Sequence, residues 1–230
     1  PVNLEVGPDG ALYVVDIYRA VIEHPQWMPV ELRDRLDLYE GNDRGRIYRI
    51  VPTSSDSVQP APQLSTSSST SLVENLSHSN AWWRETSARL LVERNDKTMG
   101  RRLHRMVQGH ALPVARIHAL WVLSGLDLIP DELLQIALED QDPRVIEQAI
   151  TLAEGRLDQS DRLRDKVKQL CHYKDPRVRY RATLAMAPCE IVLREHVDQW
   201  ELWAVLIAAG NHAGDILENW LVGQDNIRPD

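Results

Sequence analysis

Five polar residues near the start of the chain have types and spacing that could do chemistry: Asp16, His24, Asn42, Asp43 and Arg44. Carboxylates, an imidazole and a guanidinium on connecting loops can bind a polar substrate or hold a metal ion. Binding groups concentrate on loops carried by a rigid scaffold. The simpler reading has Asp16 and Asp43 tying loop backbone and Arg44 pairing with an acid. A second set, Arg84, Arg116 and Arg179, occupies one register of a repeated phrase. It points either to a ligand groove or to contacts between repeats. The eight histidines, at 24, 78, 104, 110, 118, 172, 196 and 212, include no i, i+4 pair with a carboxylate. A zinc-binding helix needs that spacing, so they read as surface or capping residues and no metal site is expected.

Cys171 and Cys189 are the two cysteines, too few for a disulfide framework or a four-thiolate zinc site. No Cys-x-x-Cys-His occurs, which excludes covalent c-type haem within this chain. Both thiols read as small buried hydrophobes. Neither a Gly-rich phosphate loop nor a Gly-x-Ser-x-Gly elbow is present.

Charge narrows the partners. The chain has 26 basic and 34 acidic residues, and from residue 190 onward eight carboxylates face only Arg194 and Arg228. Such a surface repels nucleic acid and anionic membranes at long range. The longest apolar run, Leu202 to Ala209, is far short of the roughly 20 residues that span a bilayer. The sequence therefore predicts a soluble chain without a membrane span. No signal peptide opens it, and Pro1 in place of Met suggests a piece of something longer.

The elements that must position these groups fall into two unlike halves. Residues 1–51 read as strand and loop. Val2 to Val6 alternates, Gly7-Pro8-Asp9-Gly10 supplies a turn, and Ala11 to Val15 resumes as strand. Asp-Gly between apolar runs signals a hairpin because Gly accepts positive φ without a Cβ clash. A polar excursion from Asp16 to Arg44 precedes a further strand, Arg46 to Val51. Three short strands bury too little surface to be stable alone. Residues 52–71, with eight Ser, three Thr and three Pro, have the composition of a tether. Their last residues are expected to cap a short helix at Leu72–Leu76.

Residues 72–222 read as helical repeats, and 223–230 as a C-terminal tail. Asp142-Pro143-Arg144-Val145 returns as Asp175-Pro176-Arg177-Val178, with fainter copies at Pro113–Arg116 and Asn80–Arg84. Anchored on Trp83, Ala115, Val145 and Val178, the steps are 32, 30 and 33 residues. A period of that size means stacked helical units, none able to bury its apolar face alone. Asp142 and Asp175 can cap the first turn, where Pro gives up a donor that had no partner. From each anchor, apolar or small residues recur at offsets 0, 4 and 7: Trp83, Ser87, Leu90; Ala115, Ala119, Val122; Val145, Ala149, Leu152; Val178, Ala182, Ala185. That spacing draws one buried stripe along each helix. A shorter pair, Trp200–Ala209 and Ala213–Val222, closes the series.

The Asp-Pro-x-Val phrase with Ala four residues later resembles the HEAT and HEAT-like repeat family. Its members often carry Arg just after the Val position, present here as Arg84, Arg116 and Arg179 but replaced by Ile146. Residues 1–51, with Pro1 to Asp16 and Gly45-Arg46-Ile47-Tyr48-Arg49-Ile50, resemble the last blade of a six-bladed β-propeller of the glucose/sorbosone dehydrogenase type. The combination of Val15 to Pro25, Gly41 to Arg49 and Asn80 to Thr86 is similar to one family throughout: the large membrane-bound dehydrogenase-like proteins of planctomycete and verrucomicrobial bacteria. The resemblance implies a mainly α chain: a HEAT-like solenoid preceded by a partial propeller blade. It further implies an exported or membrane-associated parent with a quinone cofactor and a c-type haem domain, neither carried by this chain. Two functions follow as expectations. One is a non-catalytic scaffold that contacts a protein partner or a neighbouring domain. The other is an oxidoreductase part acting on sugars or alcohols, its propeller site completed by residues 1–51.

Overall fold

The structure is a computed structural model that describes residues 2–52, 62–186 and 199–210. The expected helix at Ala213–Val222, the tail at 223–230, Cys189, His196, His212 and residues 53–61 of the tether lie outside the described residues. The described chain is mainly helical, with a small antiparallel sheet, and divides into two compact units. The first comprises Pro1–Ser67 and His78–Thr86; the second comprises Ser68–Ser77 and Ser87–Asp230.

In the first unit, β1 (Asn3–Val6), β2 (Leu12–Asp16) and β3 (Arg46–Ile50) form a sheet in the order β1-β2-β3. The hairpin turn closes through Gly7 N–H donating to Ala11 O at 2.9 Å, and Gly10 takes φ +78°, which its missing Cβ permits. Register puts Leu4, Val14 and Tyr48 on one face with Val6, Leu12 and Ile50. The opposite face carries Asn3, Val15 and Ile47 with Glu5, Tyr13 and Arg49. The first face is apolar yet poorly covered, with Leu4 57% and Ile50 54% exposed. The polar excursion between β2 and β3 is not structureless: it holds a 3₁₀ turn at Pro25–Trp27 and α1 (Val30–Arg33). Gly41, at φ +80°, closes that loop, and a Cβ there would sit 2.1 Å from Tyr18 O.

Composition places the end of the tether at residue 71, but the chain is ordered earlier. Leu64 is buried in a 3₁₀ turn, and α2 (Ser69–Asn75) starts at Ser69, capped by Ser68 Oγ accepting from Ser71 N–H at 3.2 Å. Two serines expected in the tether, Ser68 and Ser71, therefore make the helix cap. Next come α3 (Ala81–Arg94), α4 (Gly100–Gly109), α5 (Pro113–Gly125), α6 (Asp131–Leu138), α7 (Pro143–Ala153), α8 (Asp161–Leu170), α9 (Pro176–Met186) and α10 (Gln199–Ala209).

Within the second unit, α4 packs on α5, α6 on α7 and α8 on α9, so successive pairs alternate between two layers. One layer runs α4–α6–α8 and the other α5–α7–α9, with α10 against α9. Ala115, Ala119 and Val122, then Val145 and Ala149, then Val178, Ala182 and Ala185 are all buried, as the offsets require. The small residue at offset 4 is fully enclosed in each copy: Ser87, Ala119, Ala149 and Ala182. Leu90 and Leu152 are half-buried, and neighbouring Leu91 and Ala153 take the deeper position. Among the described residues, no helix is long and apolar enough to cross a membrane.

Trp83 departs from expectation. The stripe register assigns it to the core of the stack, but it is half-buried and belongs to the first unit. Its Nε1–H donates to Pro8 O at 2.8 Å, and its ring stacks on His78 with centroids 5.0 Å apart. Beside it, Asn80 Nδ2–H donates to Gly7 O at 2.9 Å. Two side chains of the repeated phrase thus hold the carbonyls of the hairpin turn. A polar contact satisfies an indole N–H that core burial would have left without an acceptor.

Candidate functional site

The β2–β3 loop brings two of the five expected groups together. Asp16 ends β2, and its Oδ1 accepts from Tyr18 N–H at 3.0 Å, an arrangement that holds Tyr18 at φ +55°. Arg44 comes from the far end of the loop, after the Gly41 turn. Asp16, Tyr18, Arg19, Glu40 and Arg44 line an open hollow of about 310 Å3. The loop is drawn closed by Ala20 N–H donating to Glu40 O at 3.2 Å and by Arg19 Nη2–H donating to Leu38 O at 2.7 Å. Arg46 lies 4.1 Å from the Tyr18 ring centroid and covers it.

The other three groups do not line this hollow. His24 is exposed and caps the Pro25–Trp27 turn, its Nδ1 accepting from Gln26 N–H at 3.3 Å. Asn42 engages its backbone, donating N–H to Tyr39 O at 3.0 Å. Asp43 approaches Arg44 at 3.9 Å with the two side chains 82% and 59% exposed, a pair that water screens almost completely. Among the described residues, no three His, Cys, Asp or Glu side chains gather in a metal-binding group.

Sequence reading missed a tighter polar cluster at the hairpin. Asp9 Oδ1 accepts from Ala11 N–H at 3.1 Å, and Oδ2 accepts from Tyr13 Oη–H at 3.2 Å and from Arg49 Nε–H at 2.7 Å. Desolvation pushes the Asp9 carboxyl up, but the donors from Ala11, Arg49 and Tyr13 outweigh it and hold the carboxyl below the usual aspartate range. Arg49 is raised in turn by its bond to Asp9. The Tyr13–Arg49 pairing across the sheet was the signal that could have found it.

Arg84, Arg116 and Arg179 share one geometry. Each guanidinium turns back to the loop before its own helix and donates to the carbonyls six and five residues earlier. Arg84 reaches His78 O and Ser79 O at 2.7 and 2.8 Å. Arg116 reaches His110 O at 2.5 Å and Ala111 O at 3.4 Å. Arg179 reaches Tyr173 O and Lys174 O at 3.1 and 3.0 Å. They clamp the turn between the two helices of a repeat. Arg116 does more: Nε and Nη2 form a two-pronged pair with Asp140 of the next repeat at 2.7 and 2.8 Å. Asp140 Oδ1 also accepts from Asp142 N–H at 2.8 Å. The third copy, where buried Ile146 replaces the clamp, is therefore served by the arginine of the second.

The caps complete the pattern. Asp142 accepts from Arg144 N–H and Asp175 from Arg177 N–H, both at 2.9 Å, and Asn80 accepts from Trp82 N–H at 2.9 Å. Leu112 has no side-chain cap to offer, but His110 Nδ1 accepts from Leu112 N–H at 3.1 Å, as His78 Nδ1 does from Asn80 N–H at 3.0 Å. Further bonds cross between repeats. Arg181 reaches Thr151 Oγ1 at 2.9 Å and Glu154, Arg156 reaches Ile129 O at 2.8 Å, and Lys166 pairs with Glu139 at 2.7 Å.

Compared with known proteins, the chain matches one family, described as "Domain of unknown function (DUF7133)", over residues 1–54. That span covers the three strands and the whole β2–β3 loop. No curated protein matches the chain.

Proposed function

We propose that this chain is a non-catalytic scaffold and protein-interaction segment of a dehydrogenase-like propeller protein. In this reading α2 to α10 are HEAT-like repeats of a solenoid, and β1 to β3 are the last blade of the propeller. The observation that carries it is the use made of the polar side chains in the repeats. Caps, the three arginine clamps and the Arg116–Asp140 pair spend their hydrogen bonds on holding helix pairs in register. Stacked repeats so held present an extended surface suited to protein partners. The poorly covered apolar face of the sheet supports the blade reading, because sheets bury such faces against another layer.

The partner in this reading is a neighbouring domain of the parent, an electron-accepting c-type haem domain, in an exported or membrane-associated protein. Residues here do not fit either redox group. Cys171-His172 lacks the second thiol that covalent haem needs, and Cys171 is buried. The hollow at Asp16 has Tyr18 as its aromatic wall, and Arg46 already covers that ring.

A second reading makes residues 1–51 part of an oxidoreductase site for sugars or alcohols. Asp16 and Arg44 lining one hollow favours it. Steady-state assays with sugars, alcohols and an artificial electron acceptor, with and without added quinone, separate the two. The scaffold reading predicts no saturable turnover. Turnover that saturates and disappears in folded Asp16→Ala or Arg44→Ala would establish the enzyme reading, since catalysis needs groups held in register to within about 1 Å.

A further inference from the structure

The second repeat departs from the charge of the rest of the molecule. From Lys97 to Leu126 there is no Asp or Glu, while Lys97, Arg101, Arg102, Arg105 and Arg116 are present. That stretch carries a net +5 within a chain of net −8, so the remainder carries −13. Arg116 is neutralised by Asp140, but the other four are exposed, and none of them makes an ion pair among the described residues. Elsewhere in the same helix layer, Lys166 pairs with Glu139 and Arg164 with Asp161. Arg101 and Arg105 fall at i and i+4, which draws a line of cations about 6 Å apart along α4, and Lys97 lies just ahead of that helix in a 3₁₀ turn (Lys97–Met99). Arg102 flanks that line.

We propose that the exposed face of α4, carried by Arg101, Arg102 and Arg105 with Lys97 in the turn just before it, docks an extended, carboxylate-rich segment of a partner protein. The inference rests on the scaffold reading and names the chemistry of one partner. Charge complementarity supplies the attraction. Spacing supplies the fit, because alternate side chains of an extended peptide lie on one side about 6.6 Å apart. A long polyanion such as duplex DNA would meet the repulsion of the remaining −13. A membrane surface would need apolar side chains beside the cations, and the exposed residues of α4 are Arg101, Arg102, Arg105, Gln108 and Gly109.

The test is fluorescence anisotropy of a labelled oligoglutamate peptide titrated with the full chain. Binding at low salt should weaken at least about tenfold between roughly 50 and 300 mM salt. It should be lost in R101E/R102E/R105E and largely kept in R101K/R102K/R105K, with the helical circular dichroism signal and its melt unchanged in both. No peptide binding at low salt, or equal binding by the charge-reversed variant, would overturn the proposal. So would tighter binding to phosphatidylglycerol vesicles or duplex DNA, or self-association that the reversal abolishes, which would make the partner a second copy. None of these outcomes touches turnover at Asp16 and Arg44, so the proposal and the scaffold reading fail separately.

Discussion

Truncating Arg116 should destabilise the helical unit more than an ordinary surface change. Arg116→Ala removes a two-pronged pair to Asp140 at 2.7 and 2.8 Å and the bond to His110 O at 2.5 Å. The two side chains are 13% and 11% exposed, so water solvates neither well. Breaking a fully buried pair by removing one partner costs about 3–5 kcal/mol. Here a polar hollow of about 380 Å3 borders Arg116, Asp140 and His110, and water entering it can rehydrate the abandoned carboxylate. Asp140 also keeps its bond from Asp142 N–H. The loss should therefore sit at the low end, about 3 kcal/mol. Arg116→Lys keeps the charge but not the planar fork and should recover about half of that. Urea melts followed by far-ultraviolet circular dichroism measure these losses. A double-mutant cycle with Asp140→Ala should give a coupling of about 2 kcal/mol. A loss for Arg116→Ala below about 0.5 kcal/mol, or additivity in the cycle, would refute the cross-repeat clamp.

Three more outcomes follow from the same geometry. Trp83→Ala should destabilise the first unit by about 2–3 kcal/mol, less than for a fully buried ring, while Trp83→Phe should cost about 1 kcal/mol for the lost bond to Pro8; proteolytic susceptibility of the hairpin reads this out. Ser87→Ala should stabilise the helical unit by about 1 kcal/mol in thermal melts, because the buried Ser87 hydroxyl has no partner and the other copies carry Ala there. The third outcome concerns acid. Asp96 is held low by the Thr98 and Ser69 hydroxyls, Asp142 by the Arg144 guanidinium, and Asp9 by donors that outweigh its desolvation. Lowered folded values mean that this stabilisation is complete above the unfolded aspartate value of about 3.9 and fades as pH falls through the lower folded values. Stability measured against pH should therefore drop below about pH 4, and Asp142→Asn should flatten part of that drop.

Much of the helical half was legible because its cause is local. Asp142 and Asp175 cap the helices their phrase opens, and Ala119, Ala149 and Ala182 are enclosed where period 3.6 places them. The residue two before the cap position in the first three copies was legible in principle but not by identity. Two histidines, His78 and His110, and one aspartate, Asp140, accept the same backbone N–H. Trp83 could not be placed from periodicity, because its partner Pro8 lies 75 residues away and the stripe rule sees one helix at a time. Of the site, Asp16 and Arg44 meet because the loop closes through Ala20 and Glu40, a bond with no sequence signature. His24 and Asp43 were grouped with them by nearness in sequence, which a loop with its own 3₁₀ turn and helix does not preserve.

The scaffold reading is tested most directly by sedimentation velocity of the full chain mixed with an isolated c-type haem domain, followed at the haem absorbance. The account predicts that haem absorbance moves into a faster one-to-one complex. Folded Asp16→Ala and Arg44→Ala variants should form that complex equally well, since binding passes through the helical unit and not through the loop hollow. Haem absorbance that sediments unchanged at concentrations well above micromolar would contradict it.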